Sequence, residues 1–482
     1  MVVNDIKTLH EALVNNETTS EELVKESLTL SHEVQDKCNA FVTIIDDAKG
    51  SEVTDDLLSG IPFGVKDNFS TKGVLSTGSS NTLKDYVPFF TATAIENLLK
   101  HGCVIVNKTT MDEFGMGGTG TTAHTGIQKN PWDLTRMCAG SSSGSAAAVA
   151  AGVYPFATGS DSGDSIRKPA AYCGIVGYKP TYGMISRYGL FAYASSLDTC
   201  GVLTRNVTDA AIVVDAMKGL DPKDMTSWDS SDIHLYDNLN KEVKGKKLFY
   251  IKELVDKSNY HNLPEETEKH LDNFMATLEK FKTLGVEVDA VSIDQKLLNA
   301  ILSTYMVIAC AEATSNMSNL TGFIFGPRGE GKTYQELMTD HRTKGFSSLI
   351  KRRFIIGSYV LQAENQERYF KNAQKARRMI VDAIKEQFKN YDGLIMPVGI
   401  GPAKKLENDI VSDDELTPLD EQLQIGNFGG FPSITIPNGF IDNLPVGINI
   451  TGNNYDDQNV LNMAFALESI LDYKNQVAKE VK

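Results

Sequence analysis

Apolar and polar positions along this chain change rhythm repeatedly, between the spacing of helices and that of strands. Near the N-terminus, Leu23, Val24, Leu28 and Leu30 form an apolar stripe behind Thr19-Ser20-Glu21-Glu22, which fits the capping box that opens a helix. The polar stretch 46–60 ends in glycine and reads as a linker. The run IPFGVKDNFS then reads as a short strand that carries Lys66, Asp67 and Asn68 at its end. Residues 91–102 read as a helix, 103–106 as a buried strand, 203–220 as a helix and 247–251 as a strand. Leu271, Phe274, Met275 and Leu278 share one face of an amphipathic helix closed by Gly285, and Val286, Val288 and Val291 follow as a strand. Residues 299–319 and 343–390 are mostly helical in pattern. Short strands recur at 393–397, 433–436 and 446–450, before a last helix at 457–471. Alternation of this kind predicts an α/β fold with a central sheet. It divides the chain into an N-terminal helical segment, 1–58, and one large domain, 59–482, with a helix-rich portion over about 262–390.

Composition narrows the class. The chain has 482 residues, enough for a large core, and its 41% hydrophobic and 23% charged residues are ordinary for a globular protein. A net charge of −15 leaves no basic surplus to displace phosphate counterions, so nucleic acid is not expected as this chain's main direct partner. The six cysteines are dispersed and form no CxxC pair, which suits reduced thiols and no metal site. The N-terminus lacks the apolar core of a signal peptide, and the most apolar run, Ala146 to Ala151, is too short to cross a bilayer. A cytoplasmic protein without a membrane anchor is expected.

Candidate chemistry concentrates between Cys138 and Thr181, where two Gly/Ser-rich loops each run into a helical pattern. Such loops admit close backbone approach to a ligand, and Ser165 in the second reads as a nucleophile. Two motifs compete with this reading. Residues 326–333 fit GxxxxGK[ST], but Pro327 restricts the loop and the strand that a phosphate loop needs is poor. Residues 140–144 fit GxSxG with Ser142 at the elbow, yet the strand expected before it is weak. The histidines an elbow would need, His234, His261, His270 and His341, fall in polar, surface-type segments. The third pattern is a constellation of Lys66, Ser141 and Ser165.

These residues lie within GIPFGVKDN, MDEFGMGG, NPWDLTR, GSSSGSAAAVAAG, the long run from Gly159 to Asp198, and NFGGFPSITIPNGF. On these motifs the chain resembles the amidase signature family, and within it the subgroup linked to tRNA-dependent amidation. The separations between Lys66, Ser141 and Ser165 are those the family uses. The resemblance implies the amidase signature fold, a large mixed central sheet covered by helices on both faces. It implies that Ser165 attacks an amide carbon and that Ser141, held by a cis peptide bond, relays a proton to a neutral Lys66. The backbone N–H groups of Ser162, Gly163, Asp164 and Ser165 would form the oxyanion hole. Tyr305, Arg353 and Asp420 match the subgroup's glutamine-binding residues; arginine suits an α-carboxylate and aspartate an α-ammonium. The implied chain is a glutaminase that needs no cofactor of its own. It would work in a heterotrimer with subunits B and C, where ATP, Mg²⁺ and misacylated tRNA would be handled by the partner.

Departures from the family pattern fall inside the same loops. Asp164 replaces the glycine before the nucleophile and Lys168 replaces a glutamine, while Ala139 and Ser143 stand where glycines are usual. Thr121 stands where many relatives carry a glutamate. A glycine required for positive φ would make Asp164 strained, and its carboxylate would oppose an oxyanion. An Asp164–Lys168 pair, four residues apart at a helix start, is the expected compensation. A stand-alone amidase for another small amide, and a subunit with chemistry impaired by Asp164, remain the alternatives.

Overall fold

In the computed structural model, described for residues 1–260, 263–406 and 418–478, thirteen strands are seen. They are β1 (Phe41–Ile44), β2 (Pro62–Lys66), β3 (Val104–Thr109), β4 (Lys129–Asn130), β5 (Asp133–Met137), β6 (Phe156–Asp161), β7 (Val176–Lys179), β8 (Thr199–Thr204), β9 (Lys247–Ile251), β10 (Glu287–Val291), β11 (Gly393–Pro397), β12 (Ser433–Ile441) and β13 (Leu444–Thr451). Eleven of them form one sheet in the order β1-β3-β2-β6-β8-β7-β12-β13-β11-β9-β10, and β4 and β5 make a separate ribbon. The sheet is mixed. β2 runs parallel to β3 and β6, whereas β6 pairs antiparallel with β8.

Helices cover both faces. The helices α1 (Ile6–Val14), α2 (Ser20–Cys38), α3 (Thr93–Lys100), α4 (Ser143–Ala150), α5 (Arg167–Cys173) and α6 (Val207–Met217) precede the helix-rich portion. α2 opens with the expected capping box, Thr19 and Glu22 each bonding the other's backbone N–H. α4 is buried on every side, and its alanines pack it against β2, β3 and β6. Strand alternation sorts the cores: Phe63 and Val65 of β2 face the core that holds α6, so Gly64 and Lys66 face α4. Gly64 must lack a side chain there, because a Cβ would stand 2.0 Å from the Tyr154 hydroxyl oxygen.

Several expectations are refined. The N-terminal segment is not only helical, since β1 adds an edge strand antiparallel to β3. Residues 203–204 end β8, and the helix expected from 203 begins at Val207. Asp133–Met137, read as a weak strand, is a strand of the small ribbon. Met275 is exposed; the buried face of the helix Glu265–Lys282 uses Phe281 with Leu271, Phe274 and Leu278. His270 and His341 are buried, and His261 lies outside the described residues. The helical stretch Gln295–Asn316 is long and apolar enough to cross a membrane by length and composition. Here its helix Ile301–Asn316 packs against the helices Ser348–Leu361 and Asn372–Gln387.

Candidate active site

Lys66 ends β2 and Asp161 ends β6, and because these neighbours are parallel, both deliver their loops to one edge of the sheet. Lys66 is fully buried. Its Nζ lies 2.8 Å from Ser141 Oγ, 2.8 Å from Ser142 Oγ, 2.9 Å from Ser160 Oγ and 3.1 Å from the Ser160 carbonyl. No carboxylate lies within ion-pair distance of it among the described residues. Burial therefore dominates and draws the amine down to about 7, against a weaker opposing pull from Asp161 and Asp112. A lysine held in this way is neutral for part of the time near neutral pH and can accept a proton.

The first loop is fixed from below by Asp112. Its carboxylate accepts N–H bonds from Gly118, Gly120, Thr121 and Thr122, and its own N–H donates to the Ser141 carbonyl at 3.2 Å. The Gly140–Ser141 peptide is cis. Gly140 cannot be replaced without movement, because a Cβ there would sit 1.8 Å from Asp112 Oδ2. Ala139 occupies the left-handed region at φ 57°, and Ser143 donates to Gln128 Oε1 at 2.8 Å at the start of α4.

The second loop turns sharply after β6. Asp161 pairs with Arg167 through two oxygens, at 3.0 Å each, and accepts from Asn427 Nδ2 at 2.9 Å. Arg167 is wholly buried and also donates to the Gly163 carbonyl at 2.8 Å, which pins the turn. Ser162 donates to Asp198 Oδ1 at 2.5 Å. With the turn held so, the N–H groups of Ser162, Gly163, Asp164 and Ser165 donate to no acceptor among the described residues. Four adjacent backbone donors are thus left without a partner among the described residues. α5 starts at Arg167, two residues later than a helix opening at Ser165 would, although the Lys168 N–H already bonds the Asp164 carbonyl. Ser165 is nearly buried, and the Ser142 N–H donates to its carbonyl at 3.1 Å, which ties the two loops together.

Three elements of the helix-rich portion and its sequel close over this turn. Tyr305, on the helix Ile301–Asn316, lays its ring against Gly163, so that a Cβ there would meet it at 3.0 Å. Arg353, on the helix Ser348–Leu361, is 8% exposed; it donates to the Tyr193 hydroxyl and lies over that ring, with no carboxylate within 4.0 Å among the described residues. Asp420, on the short helix Pro418–Glu421, is 3% exposed, and its Oδ1 faces Lys168 Nζ at 2.9 Å.

The departures now have a geometry. Asp164 does not have positive φ, so the strain expected of a non-glycine residue is absent. Its Oδ2 lies 3.6 Å from Lys168 Nζ, which is the pair expected from the spacing, but Lys168 sits closer to Asp420. Burial pushes the Asp164 carboxyl up to about 6, with Lys168 as the main opposing influence. Burial likewise raises Glu421 to about 8.

Comparison with known proteins identifies the family. The family model named Amidase matches residues 22–461. The chain belongs to the amidase signature family. It is 39% identical to the A subunit of the glutamyl-tRNA(Gln) amidotransferase of Oenococcus oeni, over 96% of each chain. It is 38% identical to the same subunit from Geobacillus thermodenitrificans, over 98% of each. Among solved structures, the corresponding glutamyl-tRNA(Gln) amidotransferase subunit of Thermotoga maritima matches with a TM-score of 0.80 and 34% identity, covering 96% of this chain and 94% of that one. A peptide amidase from Stenotrophomonas maltophilia, 22% identical, shares the fold with a TM-score of 0.81 over 99% of this chain and 98% of its own.

Within this amidase signature protein, sequence reasoning missed several site residues. Ser142, set aside as an elbow lookalike, and Ser160 are direct partners of Lys66; Asn68 supports the second by donating to Ser160 Oγ at 2.9 Å. Asp112, Arg167 and Asp198 shape the loops from motifs that the sequence displayed without assigning them work.

Proposed function

We propose that this chain is the glutaminase subunit of a tRNA-dependent amidotransferase. The observation that carries the reading is a buried, charge-unpaired Lys66 bonded to Ser141 beside four unpaired N–H groups at Ser165. Ser165 Oγ attacks the side-chain amide carbon of glutamine, and its proton passes through Ser141 to the neutral Lys66. The N–H groups of Ser162, Gly163, Asp164 and Ser165 receive the oxyanion. Collapse breaks the C–N bond; the proton returns by the same hydroxyl to the leaving nitrogen, releasing ammonia and leaving a glutamyl ester on Ser165. Water then repeats the sequence and frees glutamate. Arg353 holds the α-carboxylate, Asp420 the α-ammonium, and Tyr305 lines the turn between them.

The ammonia goes to partner subunits B and C, where ATP and Mg²⁺ serve to activate the carboxylate of Glu-tRNA(Gln) or Asp-tRNA(Asn). The relatives' names support the first of these substrates. In loop 326–333 the Thr333 side chain is engaged in capping the helix Tyr334–Gly345, by a capping box with Glu336. All six cysteines are unpaired and buried, in keeping with a cytoplasmic protein. The second reading, a subunit with impaired chemistry, draws on the Asp164 carboxylate beside the oxyanion donors. Acid-quenching the full chain after incubation with glutamine, alone and with its partner subunits, separates the two by mass spectrometry. A glutamyl ester on Ser165 that is absent from S165A is expected; no ester under either condition refutes the glutaminase reading.

A further inference from the structure

Lys168 Nζ stands between two carboxylates and makes an aligned hydrogen bond to neither. It lies 2.9 Å from Asp420 Oδ1 and 3.6 Å from Asp164 Oδ2, and Asp420 Oδ1 has no aligned donor among the described residues although it is buried. A buried carboxylate oxygen without an aligned donor forgoes the stronger part of a charged hydrogen bond. Such an oxygen is ready to accept a better-placed ammonium. Arg353 is a buried guanidinium without a carboxylate partner among the described residues, ready for an anion. An α-amino acid carries both missing groups.

We propose that Lys168 is a positioning residue that occupies the substrate's ammonium seat on Asp420 in the free protein and yields it on binding. The substrate's α-ammonium takes Asp420, and Lys168 shifts to Asp164 alone. That carboxylate is then held on its lysine and away from the N–H groups that receive the oxyanion. Charge is conserved throughout, because Asp164 and Lys168 add one negative and one positive group to the same pocket. Full competence of the oxyanion hole thereby depends on the presence of an α-ammonium, which makes Lys168 a specificity determinant for free amino-acid amides. Burial raises Asp164 to about 6, and Lys168 is the main influence against that rise.

The proposal rests on the glutaminase reading. It is tested with the full chain assembled with its partner subunits, measuring hydrolysis of glutamine and of glutaramate, which lacks the α-amino group. In K168Q, Asp420 is free but Asp164 is left uncompensated, so kcat for glutamine falls at least about tenfold while KM does not rise. In D164G, Lys168 has no second seat and stays on Asp420, so KM rises about tenfold with kcat largely kept. The charge-balanced double variant D164G/K168Q recovers both constants to within about threefold of the wild type. It also raises the glutaramate-to-glutamine ratio of kcat, which would confirm the coupling even if a single variant folded poorly. Additive losses in the double variant, or an unchanged ratio, overturn the proposal while wild-type glutamine hydrolysis stands. A wild type that hydrolyses glutaramate but not glutamine overturns the glutaminase reading and this proposal together.

Discussion

Two buried lysines touch the segment that carries Ser165, one bonded to Ser160 and the other facing Asp164, and the protein uses them in opposite ways. Lys66 is surrounded by hydroxyls and a carbonyl, all neutral, and burial draws it down to about 7. Lys168 is buried too, but the carboxylates of Asp420 and Asp164 outweigh the cost of burial and hold it well above its ordinary value. A third case falls between. Lys108 is wholly buried 3.8 Å from Asp67 and is drawn down only to about 8. All three are buried, and what separates them most is the charge of the partners. A lysine among neutral acceptors becomes a base, and a lysine among carboxylates becomes a permanent cation.

The contrast is broken most severely by arginine, which keeps charge and cannot give up its proton. K66R is expected to lower glutamine turnover by about 10³-fold or more, as loss of a general base does. K168R, which needs only a cation, should keep turnover within about tenfold of the wild type. Comparable losses in the two variants would abolish the distinction. R353M and D420N should act on recognition rather than chemistry, raising KM for glutamine about 10- to 100-fold, the range of a lost charged hydrogen bond. An unchanged KM in both would remove the zwitterion from the account. pH sharpens the comparison further. Because Lys66 must be neutral, kcat/KM should fall about tenfold per unit as pH drops below about 7, where the amine is protonated. Lys168 titrates far above this range and should leave no inflection there. The smallest effect concerns the loop itself: A139G removes a side chain from φ 57° and should stabilise the fold by about 1 kcal/mol in denaturant unfolding, without loss of activity.

Much of this was legible in the sequence, and what was not has physical causes. β11 and the helix Asp457–Leu471 match their expected bounds, because clean strand and helix periods are flanked there by glycine and polar breaks. Lys66 was readable because an apolar strand delivers it. Ser142 and Ser160 were not, since a serine's partner depends on which loop folds over it and nothing in the local pattern records that. The start of α6 was misplaced because the polar break Thr204-Arg205-Asn206 between strand and helix was passed over; Asn206 caps the helix by accepting the Asp209 N–H. The Asp164–Lys168 pair followed from spacing along the chain. Asp420, the nearer partner, comes from a distant segment and could enter only through tertiary structure.

The central claim is that Lys66, neutral because of its surroundings, drives acylation of Ser165 by glutamine. Single-turnover acylation, quenched and followed by mass spectrometry across a pH range of about 5 to 9, tests it most directly. The expected result is a glutamyl ester on Ser165 whose rate of formation rises with pH through a midpoint near 7 and then levels. A pH-independent rate, a midpoint near the ordinary lysine value of 10.5, or an ester elsewhere in the chain would contradict it.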